Sequence, residues 1–263
     1  MVNVADLAIT SIETISAFDV ITGDLLFILD ELQNASIAQT EEKVDITGKQ
    51  GRKLASLKRN KACTVSGTNG LVSAGLFELQ TGSSFSTKDT NVKWVDYLTV
   101  ASNKATTTYK AIGTAGNEIK GVYVKDSDGV VTSTLEQAGT AAEGKFAYDP
   151  SSKELTFSGI ADNTQIIVAY DRKINAAVLE NESDNYSGKA TLYVDAMCED
   201  KCANVYRVQF YIPKADFNGE FTLDFGDNQS VHNFEAECLA GSCGAGGMLW
   251  TYTVFGANAE DVA

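Results

Sequence analysis

A two-residue hydrophobic period recurs along this chain and constrains its fold more than any other feature. Lys189–Ala196 sets Leu192, Val194 and Ala196 against Thr191, Tyr193 and Asp195. Tyr206–Ile212 sets Tyr206, Val208, Phe210 and Ile212 against Arg207, Gln209 and Tyr211. Successive side chains of a strand point to opposite faces, so each run can bury one face and wet the other. Similar runs at Lys93–Ala101, Glu118–Lys125, Gln165–Asp171, Glu220–Phe225 and Gly247–Phe255 are separated by turn residues. Two turn clusters are explicit: Asp126-Ser127-Asp128-Gly129 and Asp149-Pro150-Ser151-Ser152. Strands recurring every 8–12 residues or so predict a mostly β protein, an antiparallel β-sandwich or barrel.

One segment breaks the pattern. Asn69 stands as a helix N-cap candidate before Leu71, Val72, Leu76 and Leu79, which share a helical face, and Gly82 stands where the helix would end. A helix this short persists only when packed on a sheet. The spacing predicts one flanking α-helix. Residues 103–180 are rich in Gly, Thr, Ala and Ser and lack cysteine. They read as an inserted β-rich module, with 1–102 and 181–263 forming one discontinuous main domain.

Composition limits the function classes. The 263 residues are ample for a substantial core. The formal net charge of −14 disfavours phosphate-backbone binding. The longest apolar run, Leu25–Leu29, is too short to cross a membrane. The first 19 residues lack a basic stretch followed by an apolar core, so no secretory leader is expected and folding in a reducing cytoplasm is.

Few residues suggest chemistry. Cys198 and Cys202 form one pair and Cys238 and Cys243 another. If a hairpin brought the pairs together, four thiolates could hold a structural Zn²⁺ tetrahedrally. The alternative is thiols packed as small hydrophobes, as expected for Cys63. His232 is the sole histidine, so no His-based metal set or Ser-His relay is available. Asp126, Asp128 and Gly129 begin like a Ca²⁺ loop, but Val130 and Val131 break the ligand pattern. Asp224-Phe225-Gly226 lacks every companion motif of a kinase. No enzyme and no cofactor is expected.

The charge distribution is more informative. Lys49, Arg52, Lys53, Lys58, Arg59 and Lys61 fall within a segment, Gly48 to Lys61, that contains no acid and reads as a loop. Outside it, 15 basic residues face 35 acidic ones, a net −20. A positive element on a negative body suits docking onto an identical neighbour, head to tail. The plain alternative is a solvated charged loop.

Two stretches carry a family resemblance: VDITGKQGRKLASLKRNKACTVSGTNGLVSAGLFELQTGSSF at 44–85 and FNGEFTLDFGDNQSVHNFEAECLAGSCGAGGMLWTYTVFG at 217–256. They resemble the tail tube (major tail) proteins of long-tailed phages. The resemblance implies a two-sheet sandwich, a flanking helix at Leu71–Leu79 and a long protruding hairpin at Ile37–Lys61. It also implies hexameric rings stacked into a tube that conducts DNA without binding it specifically. The partners would be further copies of the chain and other tail proteins, and the location the virion. The excess length would be the 103–180 module. Two other readings remain open: a capsid decoration or head–tail connector protein, and a carbohydrate-binding module using Trp94, Trp250 and Tyr252.

Overall fold

A computed structural model describes residues 6–223, 231–240 and 247–256. The chain divides into two compact units: residues 1–85 with 179–263, and Ser86–Val178. The inserted unit thus opens at Ser86 rather than near 103. The reason is β5 (Ser86–Thr99), which pairs along its whole length with β11 (Gln165–Val178).

In the first unit one sheet runs in the order β2 (Leu25–Leu29), β1 (Leu7–Asp19), β12 (Lys189–Asp200), β13 (Val205–Phe217), β14 (His232–Cys238), β4 (Lys53–Asn69), β3 (Leu32–Thr47). A further strand, β15 (Thr251–Gly256), pairs with β13. All these pairings are antiparallel. β12 shows the expected alternation most cleanly, with Ala190, Leu192, Val194, Ala196 and Cys198 all buried. Ala190, Leu192 and Val194 pack with Ile15, Leu29, Val65, Ile212, Phe217 and Phe234 into one core.

The helix α1 (Ala74–Thr81) covers part of that core through Leu76. Its N-cap is Ser73, whose hydroxyl accepts from the Leu76 N–H, and not Asn69. Asn69 is the last residue of β4 and is held by the ladder on both sides, to Leu32 and to His232. Leu71 and Val72 precede the helix and are exposed. Gly82 ends the helix as expected, with φ of +67° and its N–H donating to the Glu78 carbonyl.

The second unit is a seven-stranded sheet: β5, β11, β7 (Val122–Lys125), β8 (Val131–Gln137), β9 (Lys145–Asp149), β10 (Glu154–Thr156), β6 (Lys104–Thr106). Only β8 and β9 run parallel among these pairings. Ser102 and Asn103, both at positive φ, form the two-residue turn from β5 to β6. Phe146, Leu155, Ile119, Ile166 and Val168 fill its separate core. Both turn clusters behave as turns. Asp126 accepts from the Asp128 and Val130 N–H groups, and Asp149 accepts from the Ser151 N–H and the Ser152 hydroxyl.

The chain is therefore mostly β with one helix among the described residues, and antiparallel pairing dominates. The strand expected at Glu220–Phe225 does not form over 220–223, and its end, with Asp224-Phe225-Gly226, lies outside the described residues.

Candidate assembly interface

β3 and β4 are the longest strands, at 16 and 17 residues. They pair almost throughout, from Leu32↔Asn69 to Thr47↔Lys53, and a short 3-10 turn at Lys49–Gly51 joins them. The stretch from Gly48 to Lys61, expected as a loop, is mostly strand. Lys53, Lys58 and Arg59 lie along a β-ribbon opposite Thr47, Lys43 and Glu42 of β3.

Among the described residues, no third strand pairs with the far half of this hairpin. β14 supports β4 only through Thr64–Asn69. Beyond Cys63 no residue of the hairpin is buried. A two-stranded ribbon without a third strand or a covering element is at best marginally stable alone. We call residues 39–62 the arm.

The arm begins at a β-bulge. Thr40 pairs with Ala62 and Glu42 with Arg59, so Asn60 and Lys61 together oppose Glu41. Asn60 has φ of +53°, which an asparagine tolerates. Glu42 clamps the bulge: it accepts from the Asn60 amide at 2.6 Å and from the Arg59 guanidinium at 2.7 and 3.1 Å. Bulges bend a strand and increase its twist, so this one re-aims the arm relative to the sheet.

The bulge also changes which face is apolar. Near the sheet, Ile37 and Val65 are directly paired and pack on the core. Past the bulge, Val44 pairs with Leu57 and Ile46 with Ala55. β3 carries no extra residue at the bulge, so even-numbered Val44 and Ile46 lie on the opposite face from Ile37. Ile46 is 52% exposed, Leu57 55% and Leu54, near the tip, 63%. The chain's own core never uses this apolar stripe.

The charges lie on the arm as follows. Lys53 pairs with Asp45, Lys58 with Glu41 and Arg59 with Glu42, at 2.6 to 2.8 Å. Hydrogen bonds from these cations hold all three carboxyls below their ordinary range. Such exposed pairs add little stability but fix the ribbon's register. Lys49 and Arg52 sit at the tip, and Lys61 sits in the bulge beside Glu41. Over residues 39–62 seven basic residues face three acidic ones, so the arm keeps a net +4.

The cysteines do not meet as one cluster among the described residues. Cys198 lies opposite Tyr206 on β13, and Cys238 opposite Ala215 on the same strand. Nine residues of strand separate those positions, roughly 30 Å. One zinc ion cannot bridge that distance, so the two pairs cannot share a tetrahedral site. Cys202 is exposed in the turn after β12, Cys238 is buried beside Cys63, and Cys243 lies outside the described residues. No group of three His, Cys, Asp or Glu side chains with metal-binding geometry occurs among the described residues.

The aromatic candidates for sugar binding are engaged within their own units. Trp94 packs edge-on to Tyr109, lies against the Arg172 guanidinium and donates to Asp96. Trp250 and Tyr252 both contact Phe210, and Trp250 donates to Gln39.

The YomU/Tube protein family matches residues 7–249, nearly the whole chain. The chain belongs to the YomU/Tube family. That makes it a phage tube-like structural protein, a component of the virion. No curated protein matches the chain. No helix among the described residues is long and apolar enough to cross a membrane.

Proposed function

We propose that this YomU/Tube protein is the non-enzymatic subunit of a phage tail tube, closing into rings, six subunits to a ring, that stack into a DNA-conducting tube. One observation carries the proposal: the arm projects beyond its own sheet with an apolar stripe on the face its own core does not use. A neighbouring copy is the natural cover for Ile46 and Leu57, and the surplus positive charge of the arm complements the remainder of the chain, where 14 basic residues face 32 acidic ones, a net −18. Ring closure would also pair the outer edges of β2 and β3, which have no further strand partner among the described residues and otherwise invite irregular association. An acidic wall would let phosphates slide past without sticking.

Negative-stain microscopy of concentrated protein tests this. Hollow tubes or stacked rings are expected. A monomer at every concentration and salt would overturn the proposal.

A second reading has one feature in its favour. Tyr97, 75% exposed, and half-exposed Tyr123 flank Ile167 across three strands of the second unit. Two strand spacings place the rings about 10 Å apart on one sheet face, a spacing that suits alternate sugar rings. Binding on a glycan array, lost in Tyr97→Ala, would support a surface-binding role for that unit.

A further inference from the structure

Cys63 and Cys238 face each other across β4 and β14. The register pairs Val65 with Ala236 and Thr64 with Glu237, so the next pair along is Cys63 with Cys238. Both belong to the same core cluster, with 2% and 6% of their surfaces exposed. The Cys63 thiol is close enough to act on that of Cys238. Directly opposed residues of an antiparallel pair have Cα atoms about 4.5 or 5.5 Å apart, depending on the ladder position. Both values lie within the span of roughly 4.4–6.8 Å that a disulfide accepts.

We propose that Cys63 and Cys238 form a latent disulfide site, closed by a peroxide once the protein has left the reducing cell interior. One sulfur attacks a peroxide oxygen, giving a sulfenic acid and a water. The second sulfur then displaces the hydroxyl as another water, and the S–S bond forms. Two thiols lose two protons and two electrons, and one hydrogen peroxide becomes two waters.

The surroundings make this closure slow. Burial pushes the Cys238 thiol up, so little thiolate is available to react. The reduced pair therefore survives folding and assembly. Position gives the bond its purpose. Residues 53–62 of β4 are all exposed, and Cys63 is the first buried residue after them. A disulfide there would fasten the root of the arm to β14, on the rung where the arm leaves the sheet.

Full-length protein is treated with hydrogen peroxide well past the point at which exposed Cys202 is oxidised, until no further thiol is lost; oxidised Cys202 shows that the oxidant acted. Remaining thiols are alkylated in denaturant. Non-reduced peptides are then mapped, with cleavage after Leu239 separating Cys238 from Cys243. The expected result is a Cys63–Cys238 cross-linked peptide, two hydrogens lighter than its parts, with a raised melting temperature that reductant reverses. In Cys63→Ala and Cys238→Ala that rise should vanish. Alkylated Cys63 and Cys238 after Cys202 has oxidised, or a cross-link joining other cysteines, would overturn the proposal.

Discussion

His232 Nε2 lies 2.7 Å from Gln80 Oε1, and that contact fixes the ring's tautomer. Nδ1 accepts the Ser73 N–H at 3.3 Å, so Nε2 carries the proton and donates it to Gln80. Gln80 in turn donates to the Asn233 carbonyl. The only histidine is thus a buried tie between α1 and β14, with Phe77 and Phe221 against its ring. Burial holds it below its ordinary pKa, which keeps it neutral.

A pH dependence follows from that tie. Unfolded histidine takes up a proton near pH 6.5, while the folded ring resists. The unfolded state then binds more protons, so stability falls as pH drops from about 6.5 towards the lower folded value. His232→Gln removes the titration. Urea unfolding between about pH 7 and 5.5 should show a flatter slope for the variant than for the wild type. Equal slopes would mean that the ring is not held neutral.

Asp96 organises the second unit in the same manner. Its buried carboxylate accepts from the Trp94 indole, the Thr108 N–H and hydroxyl, and the Tyr170 hydroxyl, at 2.7 to 2.9 Å. Burial alone would raise the carboxyl, but these donors together hold it below the ordinary range. Its contribution is therefore present above about pH 4 and is lost as pH falls through the folded value. Asp96→Ala strands several donors, each costing about 1–3 kcal/mol where it stays buried. The unfolding transition of this unit should fall markedly, and native-state hydrogen exchange should localise the loss around 94–110.

The strands were legible because alternation reports burial directly. Lys189–Ala196 and Tyr206–Ile212 lie in β12 and β13, with their expected faces in the core. The helix N-cap falls at Ser73 rather than at Asn69, because both residues satisfy the same capping preference and only the ladder to His232 and Leu32 decides between them. The basic stretch reads as a loop because a ribbon exposed on both faces lacks the alternation that marks a half-buried strand. One signal was present: apolar residues on β3 change phase, from odd-numbered Ile37 to even-numbered Val44 and Ile46. The directly opposed pair Glu42–Arg59 marks the register equally well once a hairpin is assumed.

Gly82 is intolerant of a side chain. It combines a left-handed φ of +67° with close backbone packing, since a Cβ there would run into the Tyr186 carbonyl. Gly82→Ala meets both the conformational penalty of about 1–2 kcal/mol and that collision. A loss of roughly 2–4 kcal/mol in unfolding free energy is expected, beyond what an ordinary helix-end change causes. A loss below about 1 kcal/mol would show that the 182–188 segment yields easily.

The arm separates the roles of apolar contact and charge. Ile46→Ser with Leu57→Ser removes exposed apolar surface from a face that the core does not use. The melting temperature of the dispersed protein should hold, because exposed changes of this kind shift stability by about 0.5 kcal/mol or less. Sedimentation should show polymerisation abolished. Lys49→Glu with Arg52→Glu reverses two tip charges that lie outside the ion pairs holding the register. That variant should assemble weakly, and added salt should lessen its deficit, since screening shortens the reach of exposed charges to about 10 Å at 0.1 M. Assembly of Ile46→Ser/Leu57→Ser at the wild-type rate and extent would remove the arm from the subunit contact.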